Sequence, residues 1–148
     1  MERLLNNKSL GDKGESFFNK YFPESKWINE NEESCKDYDF IIPDIYKKIF
    51  KLNSDKIDVK VSRTGKTITF QCKIENISNF LNKDKAYVFL VYNEEEDDFD
   101  IIDIIESKKI LDKYHVFNSF KGEKTTSFIY LSKKDEEKLI KTLNGNIR

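Results

Sequence analysis

The chain has 148 residues, 38% of them hydrophobic, with twelve Phe, seven Tyr and one Trp; 26 basic and 27 acidic side chains leave a formal net charge of -1. Such an aromatic content excludes a disordered polar chain, and the balanced charge excludes a global attraction to nucleic acid or anionic lipid, leaving only local patches for that purpose. The length suits one domain with a sizeable core.

In chain order, SLGDKGESFFNKYFP (9–23) predicts a helix. Ser9 can cap it, Leu10, Phe17, Phe18, Tyr21 and Phe22 recur at helical spacing, and Pro23 ends it. Gly11 and Gly14 each cost such a helix about 1 kcal/mol relative to Ala, which a close approach of its backbone to a neighbouring strand would explain. YDFII (38–42) reads as a short strand stopped by Pro43, and IYKKIFKL (45–52) as an edge strand or loop segment turned by Asn53-Ser54-Asp55. In KIDVKVS (56–62), Ile57, Val59 and Val61 alternate with Asp58, Lys60 and Ser62, the period of a strand with one apolar and one polar face.

Arg63-Thr64-Gly65-Lys66 then reads as a hairpin turn into a second strand, TITFQCKIE (67–75). A short helix is expected at NISNFLNKD (76–84) and a strand buried on both faces at AYVFLVY (86–92). A strand at DFDIIDII (98–105), a helix at SKKILDKYH (107–115) and a late strand at TSFIYLS (126–132) follow. SKKDEEKLIKTLNG (132–145) closes the chain as a helix between Ser132 and Gly145. No repeat, low-complexity linker or boundary divides these elements. The expectation is one mixed α/β domain over residues 1–148, built around a hairpin-rich sheet.

Composition removes several chemistries. A Ser-His-Asp or Cys-His nucleophile system would have to use His115, the sole histidine, which reads as an ordinary helix-end residue. Cys35 and Cys72 form no CxxC and are too few for a zinc site or a disulfide scaffold, which fits a reducing compartment. None of the five glycines falls in GxxxxGK[ST] or GxGxxG. MERLLNNKSL lacks a signal-peptide core, and no run approaches the roughly 20 apolar residues of a membrane span, so a soluble, cytoplasmic protein without a membrane partner is expected. Carboxylates and lysines remain, and the chemistry that runs on those alone is usually Mg²⁺-assisted attack on a phosphodiester.

Local charge is uneven. Eight bases against three acids lie between Asp44 and Lys73, and eight acids with no base lie between Glu94 and Glu106. The molecule can carry a basic and an acidic side, although a solvated loop accounts equally well for the acids. Within this background Glu15 stands four residues after Gly11 and three before Phe18, on the border of the apolar stripe, where a carboxylate needs a cation or a hydrogen-bond donor to offset burial. Asp39 precedes the apolar run of YDFII, and Asp58 and Lys60 share the polar face of KIDVKVS. Each also has a plain structural reading: Asp58 and Lys60 as a solvated face, Glu15 as a partner for Lys20 or a distant lysine.

A Gly-Glu helix, then YD before an apolar strand, then IDVK on the next major strand, resembles the PD-(D/E)xK nuclease superfamily over residues 9–92. The resemblance implies a restriction-endonuclease-like αβββαβ core, with residues 93–148 as additions. It implies a Mg²⁺- or Mn²⁺-dependent endonuclease that hydrolyses DNA in a restriction or defence, repair or mobile-element setting. Asp39 and Asp58 would ligate the metal, Glu15 would complete the acidic cluster, and Lys60 would orient or deprotonate the attacking water. A second register is similar to the D…QxK variant of the type IV restriction group. There Asp58 faces Gln71 across the hairpin and Lys73 supplies the amine. The literal Pro43-Asp44 falls where a strand should end, and Asp44 reads as turn chemistry.

Lys47, Lys48, Lys51, Arg63 and Lys66 would contact DNA phosphates, and double-strand cutting by a chain with one site implies a homodimer. The alternative is a non-catalytic nuclease-fold domain that binds protein or nucleic acid. In that case Glu94–Asp98 and the strand edges would engage a protein partner in a larger complex.

Overall fold

The structure, a computed structural model, describes residues 7–28, 38–63, 68–73, 80–120 and 126–133. Helix α1 (Asn7–Tyr21) leads into strands β1 (Lys26–Trp27) and β2 (Phe40–Ile41), helix α2 (Asp44–Phe50), and strands β3 (Lys56–Ser62) and β4 (Ile68–Lys73). Strands β5 (Ala86–Asn93) and β6 (Asp98–Glu106) follow. A 3₁₀ turn (Ser107–Lys109), helix α3 (Ile110–Lys113), β7 (Tyr114–Phe120) and β8 (Thr126–Lys133) complete the described chain.

These strands form two sheets. The larger runs β1-β2-β3-β5-β6 and is mixed, because β3 and β5 are parallel while its other pairs are antiparallel. The smaller, β4-β8-β7, is antiparallel throughout. The protein is therefore mixed α/β, with a five-stranded mixed sheet and few helices.

Strand β5 explains the layering. Ala86, Val88 and Leu90 point into a core shared with Leu10 and Phe18 of α1 and with Phe40, Ile57 and Val59. Tyr87 and Phe89, pointing the other way, join Ile68, Phe70, Tyr114, Ile129 and Leu131. A strand covered by a helix on one face and a second sheet on the other must be apolar at nearly every position, as AYVFLVY is. Gly14 sets the approach of α1, since a Cβ there would lie 2.4 Å from Val61 Cγ2 on β3. Gly11 has nothing within 4 Å of its Cβ position. Only one of the two glycines therefore serves close packing.

Three sequence expectations are corrected. IYKKIFKL is helical, not extended: Pro43 (φ -71°, ψ 162°) precedes α2, and Lys51 closes it in the left-handed region (φ 59°). Tyr46 and Phe50, one helical turn apart, pack on Phe22 at ring separations of 5.4 and 5.1 Å, which secures the helix. Asp44 opens that helix as a first-turn acid.

SKKILDKYH is helical only to Lys113; Tyr114 and His115 begin β7. Tyr114 is almost fully buried against Phe89 and its hydroxyl donates to Asp103 at 2.7 Å, so packing overrides the helical spacing. His115 is an exposed strand residue instead of a helix end.

The third correction concerns the hairpin. β3 and β4 lie in different sheets: Asp58 pairs with Tyr87 and Gln71 with Phe128. Apolar residues on β4 (Ile68, Phe70) complete the second core, which outweighs a local turn signal. The cross-strand relation between Asp58 and Gln71 that the second register needs is thus absent, and the side chains of Gln71 and Lys73 are outside the described residues. The helix expected at 76–84, apart from its end, and the closing helix after residue 133 are also outside them, as are Cys35 and Lys66.

Candidate active site

The polar face of KIDVKVS is not wet. The second sheet packs over it, so Asp58 is only 8% exposed and Ser62 is fully buried. Burying a carboxylate is costly unless charges or donors meet it, and its neighbours show how that cost is met.

Strand register brings Asp39 to the same place. Phe40 pairs with Ile57, and Asp39 is the residue just beyond that last paired position. Its backbone N–H donates to Ile57 O at 2.7 Å, and Val59 N–H donates to Asp39 Oδ2 at 2.8 Å. The carboxylate thereby continues the β2–β3 ladder where β2 stops. Glu15 arrives from α1, next to the glycine that lets the helix touch β3. Trp27 Nε1 donates to Glu15 Oε1 at 3.1 Å and fixes the carboxylate from β1. Asp39 is hydrogen-bonded to both Glu15 and Asp58 and sits between them.

Two lysines face the cluster. Lys60 Nζ is 3.5 Å from Asp58 Oδ1 and lies over the Phe70 ring at 5.6 Å. Lys85 Nζ is 2.8 Å from Asp58 Oδ2 and 5.1 Å from the Tyr87 ring centroid, and the residue is as buried as Asp58. Sequence reading missed Lys85. The usable signal was its place two residues before Tyr87, which puts it on the same face of the approach to β5. What was lacking was the β3–β5 pairing that turns that face toward Asp58.

The electrostatics follow from this crowding. Burial, and then the Asp58 and Glu15 charges, push Asp39 up to about 8. Burial also raises Glu15, against the opposing Trp27 hydrogen bond. For Asp58 burial acts upward too, but Lys60 and Lys85 more than offset it and hold the group below the ordinary carboxylate range. Raised Asp39 and Glu15 beside a lowered Asp58 are the pattern expected of three carboxyl groups that cannot all ionise together.

The site therefore unites Glu15, Asp39, Asp58 and Lys60 from α1, β2 and β3. The donor set is all carboxylate oxygen, which suits a hard divalent cation such as Mg²⁺. Among the described residues, however, no group of three or more His, Cys, Asp or Glu side chains is placed so that it could hold a metal ion.

The basic residues expected to contact DNA are split. Lys47, Lys48 and Lys51 lie on or beside α2, before β3 begins, whereas Arg63 follows its end, about 23 Å away along a seven-residue strand. No protein-family model matches the chain, and no curated protein or solved structure is significantly similar to it. No helix among the described residues is long and apolar enough to cross a membrane.

Proposed function

We propose that the protein is a divalent-metal-dependent DNA endonuclease of the PD-(D/E)xK type, acting in restriction or defence, repair or mobile-element biology. One observation carries this: Glu15, Asp39 and Asp58, far apart in sequence, feel one another's charge in one cluster, with the Lys60 amine 3.5 Å from Asp58. The element order supports a restriction-endonuclease-like αβββαβ core. α1 is followed by the antiparallel run β1-β2-β3, and β5 lies parallel beside β3. β4 departs from that core by joining the second sheet.

Glu15, Asp39 and Asp58 would hold Mg²⁺ or Mn²⁺. When bound, such an ion neutralises charge developing on the phosphate and acidifies a water. The chain's own residues divide the remaining work. Asp39, whose proton is held more tightly than usual, would have to release it to serve as a ligand, whereas Asp58 is held below the ordinary carboxylate range. Lys60, with 31% of its side chain exposed against 10% for Lys85, is the amine that reaches solvent and so orients the attacking water. Lys85 holds Asp58 in place from inside. Double-strand cutting would use a homodimer.

The test is nicking of supercoiled plasmid with and without Mg²⁺ or Mn²⁺. Wild type should nick only with metal, and Asp58→Ala and Lys60→Ala should each lose at least a hundredfold in rate. Nicking that survives Asp58→Ala would overturn the proposal. One observation favours the second reading, a non-catalytic domain of the same fold: among the described residues no three acids are placed to hold a metal ion. That reading predicts metal-independent binding to DNA or a protein partner, and no nicking in any metal.

A further inference from the structure

We infer that a lysine-rich cleft beside the carboxylate cluster seats the phosphodiester backbone of nucleic acid. The cleft has a volume of about 590 Å³ and lies where β3 and β5 begin and β6 ends. Lys56, Lys83, Lys108 and Lys109 converge on it from three segments distant in sequence, facing Asp55, Asp84 and Glu106. None of these lysines except Lys56 belonged to the basic stretch visible in the sequence.

Two of the acids are already engaged. Glu106 Oε1 accepts the backbone N–H groups of Asn53 at 2.7 Å and Ser54 at 2.8 Å. Asp84 is paired with Lys108 at 2.8 Å. Asp55 remains on the rim as an opposing charge. Lys83 and Lys109 make no ion pair among the described residues, so their ammonium groups are available to an incoming anion. Their supports are fixed: Lys83 N–H donates to Ser107 Oγ at 3.1 Å, Ser107 Oγ donates to Phe80 O at 2.6 Å, and Ser54 Oγ donates to Asp84 O at 3.0 Å.

The chemistry of the wall selects the ligand class. Every lining residue is polar or charged, and no aromatic or aliphatic residue lines the cleft to stack on a base. Flexible lysines act as point charges that suit phosphate oxygens, which contribute affinity and register without reading sequence. The cleft also adjoins the cluster on two strands. Lys56 precedes Asp58 by two residues on the same face of β3, about 7 Å away. Its Nζ lies over the ring of Tyr38, the neighbour of Asp39. Asp84 directly precedes Lys85, the buried partner of Asp58. A strand lying in the cleft would thus have its next phosphates directed toward the carboxylates.

This assignment deepens the nuclease proposal, on which its substrate-positioning role rests, and binding tests it independently of cutting. Fluorescence anisotropy with a labelled DNA duplex, in EDTA and over a range of salt, compares wild type with Lys83→Gln/Lys109→Gln. Lys109 is exposed and Lys83 half-buried, and a matched thermal melt shows that the fold is retained. The double variant should bind about tenfold more weakly, and its log K against log salt should be shallower by about 2. Unchanged affinity and slope in the double variant overturn the cleft, as does tighter binding of wild type to polyglutamate than to the duplex. Binding that depends on these lysines without nicking in Mg²⁺ sinks the nuclease proposal and leaves the cleft standing. Nicking that depends on Asp58 with unaltered binding by the double variant does the reverse.

Discussion

The acids from Glu94 to Glu106 and the acids at 15, 39 and 58 are the same functional groups under opposite conditions. In the first group Glu94–Asp98 are exposed to water, and the inward-facing members have donors of their own. Asp97 is held below its ordinary value by hydrogen bonds from Lys13 and the Tyr92 hydroxyl. Asp103 accepts from Tyr114 and is ion-paired with Lys113, and Glu106 caps two backbone amides. In the second group three carboxyl groups share a buried space, and one of them is driven up to about 8. Density of acid along the chain therefore says little about electrostatic tension. Desolvation and mutual approach decide it.

The contrast can be broken most severely at Lys85. Lys85→Met removes the closer of the two ammonium groups from buried Asp58, and should cost about 3 kcal/mol in urea unfolding. A loss below about 1 kcal/mol would mean that the buried pair is not what offsets Asp58's desolvation.

Asp39→Asn should act with the opposite sign. Folded wild type retains a proton on Asp39 that the unfolded chain has released, so this group lowers stability as pH rises from its ordinary value of 3.8 toward about 8. Asn keeps an oxygen for the Val59 amide and does not titrate. Relative to wild type, the variant should gain on the order of 2 kcal/mol at alkaline pH and lose that advantage in acid. Thermal melts across the range check this, and a difference independent of pH would show that the cluster is not under charge strain.

At Gly14 the tension is steric. Gly14→Ala should cost about 1–3 kcal/mol and reduce any metal-dependent activity, because α1 must move off β3 and carry Glu15 with it. Gly11→Ala, where the added methyl meets nothing, should instead stabilise by about 0.5–1 kcal/mol. Equal effects at the two positions would remove Gly14 as the determinant of Glu15's approach. The smallest effect belongs to the exposed run: Glu94→Gln, Glu95→Gln and Glu96→Gln together should shift stability by no more than about 0.5 kcal/mol. A larger shift would mean that the two acidic groups are less different than their surroundings imply.

Elements whose signal lies in adjacent residues were legible. The aromatic spacing of 9–23 marks α1, the alternation of 56–62 marks β3, and the unbroken apolar run of 86–92 marks β5. The grouping of Glu15, Asp39, Asp58 and Lys60 was also proposed from sequence, because each sits at a defined place on such an element. IYKKIFKL and SKKILDKYH were misread because Phe22 and Phe89, remote in the chain, determine how Tyr46, Phe50 and Tyr114 pack. The hairpin failed for the same reason.

Composition and periodicity by themselves determined an aromatic-rich mixed α/β chain whose available chemistry is carboxylate and amine. The contact of α1 with β3 at Gly14, the parallel docking of β5 beside β3 and the departure of β4 to a second sheet were decided only in three dimensions. Those choices bury Asp58, add Lys85 to it and gather four lysines at one edge. They depend on which distant apolar faces cover one another, a free energy of packing that no short window of residues contains.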